Sequence, residues 1–168
     1  MNSNINNHHD QKFLPYGMHS INQTDINAVI NVLKGSKLTQ GDKIIEFEDA
    51  ISKKIESKFS VAVNSATSAL HLACLALGVS KGDIVWTSPI SFVASSNCAL
   101  YCNAKIDFVD INPDTGLIDI KKLKDKLLES KKCNSLPKVL IPVHLTGSSC
   151  DMKEIKALSQ KYNFSVIE

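Results

Sequence analysis

The stretch Ser60-Val61-Ala62-Val63-Asn64-Ser65-Ala66-Thr67-Ser68-Ala69-Leu70-His71-Leu72-Ala73 decides the fold, because it runs from a β-branched strand through a polar turn into an Ala- and Leu-rich helix. The first N–H groups of a helix have no intrahelical partner, and the helix dipole adds partial positive charge there. The turn therefore suits a phosphate without any lysine, with hydroxyl donors from Ser65 and Thr67. Helix capping by Asn64, Ser65 and Thr67 explains the same residues equally well.

From Ser60 onward, strand-like and helix-like segments alternate. The predicted strands are 60–63, 84–87, 106–110, 138–143 and 164–167, and the predicted helices are 66–77, 91–102, 119–130 and 151–162. Such alternation indicates an α/β fold with a mostly parallel sheet. Because ligands in these sheets collect beyond the carboxyl ends of the strands, we expect turn 64–67 and loop 88–92 to face one pocket.

The chain before Ser60 is predicted to be helical after a polar start. Residues 1–12, which include His8 and His9, lack periodicity and are expected to form a disordered tail. Thr24 is the expected cap of a helix that ends near Gly35, and a second helix is expected from 42 to 56. The apolar residues of the first helix recur at helical spacing and are Ile26, Val29, Ile30 and Leu33.

Composition narrows the classes of function. The chain has 168 residues, of which 43% are hydrophobic, and a net charge of +2. Its lysine-rich segment 121–132 also contains acids and is interpreted as a solvated helix face, so we expect no nucleic-acid partner. The longest apolar runs fall far short of the roughly 20 residues that cross a bilayer, and the N-terminus has no leader-like apolar region. We therefore expect a cytoplasmic protein without a membrane partner.

Five cysteines include one close pair, Cys98 and Cys102, one helical turn apart in an apolar helix. No histidine or carboxylate in that helix would complete a tetrahedral metal site. A buried, reduced pair is the favoured interpretation, and we expect no metal.

Two side chains at predicted strand ends are candidates for a ligand site. Phe92 follows the second strand and is able to stack on a planar ring, although a core position explains it as well. His144 follows strand 138–143 and would orient a cofactor or substrate, unless it hydrogen-bonds backbone for structural reasons. His71, in mid-helix, is interpreted as packing. A dinucleotide-binding fold is disfavoured because turn 64–69 lacks the glycines of G-x-G-x-x-G.

Seven segments, taken together and in order, resemble the sugar-nucleotide aminotransferases of fold type I. The resemblance covers residues from about 13 to the end. The segments are Pro15-Tyr16-Gly17, Leu38-Thr39-Gln40-Gly41, Asn64 to Leu72, Thr87 to Ser95, Phe108-Val109-Asp110-Ile111, Ile141-Pro142-Val143-His144 and Val166-Ile167-Glu168. Within the family, residues 87–103 and 136–152 are most similar to the transaminases of pseudaminic acid biosynthesis.

The resemblance implies a pyridoxal 5'-phosphate (PLP) enzyme, in which the cofactor is the electron sink and the protein supplies position. It implies amino transfer from L-glutamate to a UDP-linked 4-keto-6-deoxy-N-acetylhexosamine, in a homodimer when the protein is full length. The implied cofactor-binding residues are Ser65, Ala66, Thr67 and Phe92. The implied substrate-binding residues are Tyr16, Ser36, Lys37, Leu38, Thr39 and Ala66.

The resemblance also implies a domain division and two missing groups. Residues 13–58 would form an N-terminal helical segment, and 59–168 the first part of a three-layer PLP-binding domain that is incomplete at its C-terminus. The family's aspartate that pairs with the pyridinium nitrogen and its Schiff-base lysine would both come after Glu168, so we expect no catalytic residue of that kind in this chain. We expect these 168 residues alone to be poorly soluble and inactive. The alternative is a non-catalytic fragment that acts only as a binding or assembly partner.

Overall fold

The computed structural model describes Pro15 and residues 17–168, so the predicted tail at 1–12 and the candidate Tyr16 lie outside the described residues. The chain divides between Ala62 and Val63 into two compact units. The first contains helices α1 (Gln23–Leu33) and α2 (Asp42–Lys54). None of the described helices is long and apolar enough to cross a membrane.

Helix α1 begins at Gln23, two residues before the first helical position that a cap at Thr24 would give. Asn22, not Thr24, is the N-cap, and its Oδ1 accepts the N–H groups of Thr24 at 2.7 Å and Asp25 at 3.3 Å. The Asp25 carboxylate in turn accepts the Asn22 N–H at 2.9 Å. Asn is preferred to Thr at the N-cap, and Asp25 at the third helical position completes a reciprocal capping box. The prediction of Thr24 as the cap was therefore wrong.

The second unit is a parallel sheet with helices on both faces. Its elements in chain order are α3 (Ala66–Ala76), β1 (Ile84–Thr87), α4 (Ala94–Tyr101), β2 (Lys105–Phe108), α5 (Ile120–Lys132), β3 (Val139–Ile141), α6 (Met152–Tyr162) and β4 (Ser165–Val166). The strand order is β2-β1-β3-β4, and all pairs are parallel. The predicted α/β fold is confirmed.

Alternate residues of the central strands point to opposite faces and bury two separate cores. In the register that pairs Val85 with Val139 and Trp86 with Leu140, the two valines pack in the core that holds buried residues of α3 and α4. Trp86 and Leu140 pack instead in the core that holds buried residues of α5 and α6, such as Leu127. The second unit is therefore a three-layer α/β/α sandwich, as the period-2 geometry of a strand requires.

The predicted strand 60–63 is wrong. These residues have no ladder pairing, and Val61 is 76% exposed. The Ala62 N–H donates to Glu48 Oε1 at 2.7 Å rather than to a neighbouring strand. A β-branched run becomes a strand only when another strand pairs with it, and among the described residues none does so.

Candidate functional site

The amino ends of helices α3 and α4 and the carboxyl ends of the strands share one edge of the sheet. Helix α4 follows β1 directly, so it starts at that strand's carboxyl end. Helix α3 leads through residues 77–83 into the amino end of β1 and packs against α4, so its own amino end lies at the opposite, carboxyl edge. The topology therefore places 64–67 and 88–92 on one edge, as the alternation predicts.

The amino end of α3 is capped, and part of it remains open. Ser65 Oγ accepts the Ser68 N–H at 3.2 Å, and Ser68 Oγ donates to Asn64 Oδ1 at 2.7 Å. Capping by Ser65 is confirmed, whereas Asn64 accepts only side-chain hydroxyls and Thr67 takes no part in the cap. No acceptor from the described part of the chain takes the N–H groups of Ala66 and Thr67, and the first turn has no acidic residue. Capping therefore leaves two N–H donors of this helix end available to an anion.

Phe92 is exposed, which overturns its interpretation as a core residue. Helix α4 begins at Ala94 rather than at 91, so Phe92 precedes it by two residues, and 75% of its surface is accessible. The Phe92 carbonyl accepts the Ser95 N–H at 3.0 Å, which fixes this turn onto the helix. An exposed phenyl ring on a backbone held in this way offers a flat apolar face to a planar ligand.

A cavity of about 190 Å³ lies beside Phe92 at the carboxyl ends of β1 and β2. Its lining includes Ser88, Ser91, Phe92 and Phe108. Ser88 Oγ is buried and has no hydrogen-bond partner among the described residues. A buried hydroxyl without a partner is costly, so it suits a polar group or water that enters this cavity. The open donors of α3, the exposed ring and this hydroxyl fit a phosphorylated planar cofactor.

The sequence placed loop 88–92 at the pocket but Ser88 was not singled out in it, although a feature of the sequence pointed to this residue. Ser88 is the first residue after the buried strand Ile84–Thr87 and stands before Pro89, which cannot continue a strand's hydrogen bonding. A polar side chain at the end of a buried parallel strand is a candidate ligand group by position alone.

His144 forms hydrogen bonds with both ring nitrogens. Its Nδ1 accepts the Cys150 N–H at 3.1 Å, which confirms the structural interpretation, and its Nε2 lies 3.0 Å from Glu168 Oε2. His71 contacts Tyr101 edge-on, with ring centroids 5.3 Å apart, so the packing interpretation of His71 is confirmed.

The close cysteine pair has a third member. Cys98 and Cys102 are buried and free, as predicted, and pack with Cys74 of α3 in one core. Burial raises the pKa of all three thiols, that of Cys74 to about 12, with the neighbouring Cys98 adding to the effect at Cys74. These sulfurs therefore stay protonated and pack as small apolar groups.

The candidate substrate residues of the first unit lie in the connection between α1 and α2. Ser36, Lys37 and Leu38 line a cavity of about 520 Å³ in that unit, and Thr39 is exposed beside them. The other described candidate, Ala66, belongs to the second unit. Cofactor and substrate roles for all these residues stay predictions.

The chain matches one known protein family over most of its length. The model of the DegT/DnrJ/EryC1/StrS aminotransferase family matches residues 19–168, which is nearly the whole described chain. The chain belongs to this aminotransferase family. The resemblance noted in the sequence is thereby confirmed.

Relatives within the family connect it to amino-sugar biosynthesis. The chain is 43% identical over 155 residues to the UDP-4-amino-4,6-dideoxy-N-acetyl-beta-L-altrosamine transaminase of Campylobacter jejuni, covering 92% of this chain and 40% of the relative. It superimposes with a TM-score of 0.81 and 30% identity on Helicobacter pylori PseC, an aminotransferase involved in the biosynthesis of pseudoaminic acid, covering 90% of this chain and 40% of that one.

A further solved structure that the chain resembles contains a cofactor. NtdA of Bacillus subtilis with bound PMP matches with a TM-score of 0.76 and 32% identity, covering 85% of this chain and 32% of that one. The chain spans about 40% of the length of the curated relatives that it matches.

Proposed function

We propose that the protein containing this chain transfers an amino group from L-glutamate to the C4 keto group of a UDP-linked 4-keto-6-deoxy-N-acetylhexosamine, in pseudaminic acid biosynthesis. Family membership and the similarity to the Campylobacter transaminase support this reaction. The observation that carries the proposal is the sharing of one sheet edge by the open amino end of α3 and the exposed ring of Phe92.

The proposed cofactor is PLP, which when bound supplies the electron sink for amino transfer. The N–H groups of Ala66 and Thr67 bind its phosphate, and the Ser65 and Thr67 hydroxyls are within the same turn to add hydrogen bonds. Phe92 stacks on the pyridine ring and holds its plane. The NtdA structure with PMP supports the choice of cofactor.

The proposed sugar-nucleotide contacts are Tyr16, Ser36, Lys37, Leu38, Thr39 and Ala66. The ammonium of Lys37 suits the negative charge of a diphosphate, and the cavity that Lys37 lines has room for a polar ligand. We further propose that the full-length protein acts as a homodimer. Five free thiols support a reducing compartment, hence the cytoplasm.

The test compares two variants of the protein expressed from its whole coding sequence. Ser65→Asp keeps a strong capping side chain but places a negative charge where the phosphate binds. We expect it to lose at least 10-fold in PLP affinity, measured by absorbance titration, while its melting temperature and its affinity for unphosphorylated pyridoxal stay unchanged. Phe92→Leu is expected to lower the affinity for both PLP and pyridoxal, because it removes the aromatic face that stacks on the ring.

The outcomes separate cofactor from reaction. Equal PLP affinity in wild type and Ser65→Asp would contradict the phosphate site. If the wild type binds PLP but does not convert the UDP-4-keto sugar with L-glutamate, the cofactor assignment stands and the proposed substrate is wrong.

A further inference from the structure

One imidazole joins the carboxyl ends of two neighbouring strands. His144 follows β3, Glu168 follows β4, and these strands pair in parallel. The last backbone hydrogen bond of β4 runs from the Ile167 N–H to the Leu140 carbonyl at 3.0 Å. Glu168 is one residue beyond it, and its carboxylate is hydrogen-bonded to His144.

The hydrogen bond at Nδ1 decides what Nε2 does. Because the Cys150 N–H donates to Nδ1, that nitrogen presents its lone pair, and the proton of the neutral ring is on Nε2. Nε2–H therefore donates to the Glu168 carboxylate at 3.0 Å. The Cys150 N–H thus fixes the ring on its Nδ1 side, and the single ring proton on Nε2 points to Glu168.

We propose that His144 is a positioning residue, which holds the carboxyl end of β4 in place at the cofactor edge of the sheet through Glu168. The inference rests on the proposed function for the identity of the ligand at that edge. Strand β4 has only two ladder residues, Ser165 and Val166, and pairs in the described part of the chain with β3 alone. The bond from His144 Nε2 adds a side-chain restraint beside the β3–β4 pairing, at the carboxyl ends of both strands.

Two variants of His144 divide the roles of its two nitrogens. In His144→Asn, the amide oxygen reaches the Cys150 N–H, but no donor reaches Glu168. In His144→Gln, the longer amide donates to Glu168 from the Nε2 position. Both variants are made in the protein expressed from its whole coding sequence, and PLP affinity, melting temperature and amide hydrogen exchange of residues 165–168 are measured. A third variant, Glu168→Ala, removes the same hydrogen bond but leaves the contact between His144 and the Cys150 N–H in place.

We expect about 10-fold faster exchange in 165–168 and about fivefold weaker PLP binding for His144→Asn and for Glu168→Ala, since a lost restraint opens the strand end locally. His144→Gln should remain within twofold of wild type in both, and all melting temperatures should agree. The positioning role would be overturned if His144→Asn kept the exchange rates and PLP affinity of the wild type. It would also be overturned if His144→Gln lost as much as His144→Asn and had a lowered melting temperature. If the wild type takes up no PLP, the proposed function fails, and the exchange rates alone decide whether His144 holds β4.

Discussion

Lys138 Nζ lies 2.9 Å from Asp83 Oδ2 and so joins the residues that precede β3 and β1 at the amino edge of the sheet. The same ammonium donates to the Gly78 carbonyl at 2.6 Å, and the N–H of Ser80 donates to the Asp83 carboxylate at 2.8 Å. One ion pair thus holds the end of α3 and the starts of two central strands together.

Asp83→Asn is expected to lower stability above pH 4 and to leave it nearly unchanged in strong acid. The hydrogen bond from Lys138, helped by Ser80, keeps the pKa of the Asp83 carboxyl below its ordinary value. A lowered folded-state pKa stabilises the protein above the unfolded pKa of about 3.9, and this stability is lost as the pH falls through the folded-state pKa. Because the pair is partly exposed, we expect a loss of about 1 kcal/mol at pH 7.

Urea unfolding at pH 7 and at pH 2.5 checks this dependence. Asp114→Asn is the matched control, since Asp114 is exposed and forms no ion pair within the described residues. A loss in Asp83→Asn that is the same at both pH values would contradict the assignment.

Lys126→Met is expected to destabilise the second unit by about 1–2 kcal/mol. Lys126 Nζ lies 4.9 Å from the centroid of the Trp86 ring, donates to the Phe108 carbonyl at 2.6 Å and pairs with Asp107 at 2.7 Å. Methionine keeps the apolar stem but removes the charge that makes all three contacts. Trp86 is the only tryptophan, so its fluorescence follows unfolding directly.

Lys124→Met is the control on the same helix. Lys124 pairs with Glu154 at 2.6 Å, but both side chains are more than 40% exposed. Exposed pairs contribute only about 0–1 kcal/mol, so this variant should unfold close to the wild type. Equal losses from Lys124→Met and Lys126→Met would show that the contact with Trp86 adds nothing.

One thiol per chain is expected to react quickly with Ellman's reagent at pH 8. Cys133 is exposed, whereas the other four cysteines are buried and have raised thiol pKa values. Since the thiolate is the reactive form, the buried thiols should react only on unfolding in guanidinium. Cys133→Ala should remove the fast phase, and a fast-reacting thiol that remains in that variant would contradict the burial of the other four cysteines.

A polypeptide of these 168 residues alone is expected to self-associate through the apolar face of α1. Neither α1 nor α2 has a buried residue, and Val29 and Leu33 of α1 are 60% and 63% exposed. Large exposed apolar faces promote association. Val29→Lys should shift the elution volume toward the monomer, whereas Ala28→Lys, with the same charge on the opposite side of the helix, should not.

Several features of the fold could be predicted from local sequence because local physics determines them. The apolar run at Val139–Ile141, the amphipathic spacing of α5 and α6, and the glycine that follows α3 each specify an element within a few residues of its observed limits. Gly78 has a φ of +69°, which other residues rarely adopt, so its position alone marks the end of α3. Capping by Ser65 follows from the same short-range rules.

The remaining features depended on partners far away in sequence. Val61 and Val63 have strand-forming side chains, but they form no strand because ladder hydrogen bonds require a neighbouring strand, which local propensity does not supply. Whether Phe92 is buried or exposed depended on where α4 begins and what packs over the turn.

The sequence by itself therefore determined the alternating helices and strands, the parallel direction of the strands and the polar turn at the amino end of α3. Periodicity and capping act within a few residues, so local sequence is enough to specify them. Tertiary structure alone brought Cys74 to Cys98, Lys138 to Asp83 and His144 to Glu168. The last two contacts join residues that are 55 and 24 positions apart. No local pattern encodes such pairs, because they form only when parallel strands place distant residues side by side at one edge of a sheet.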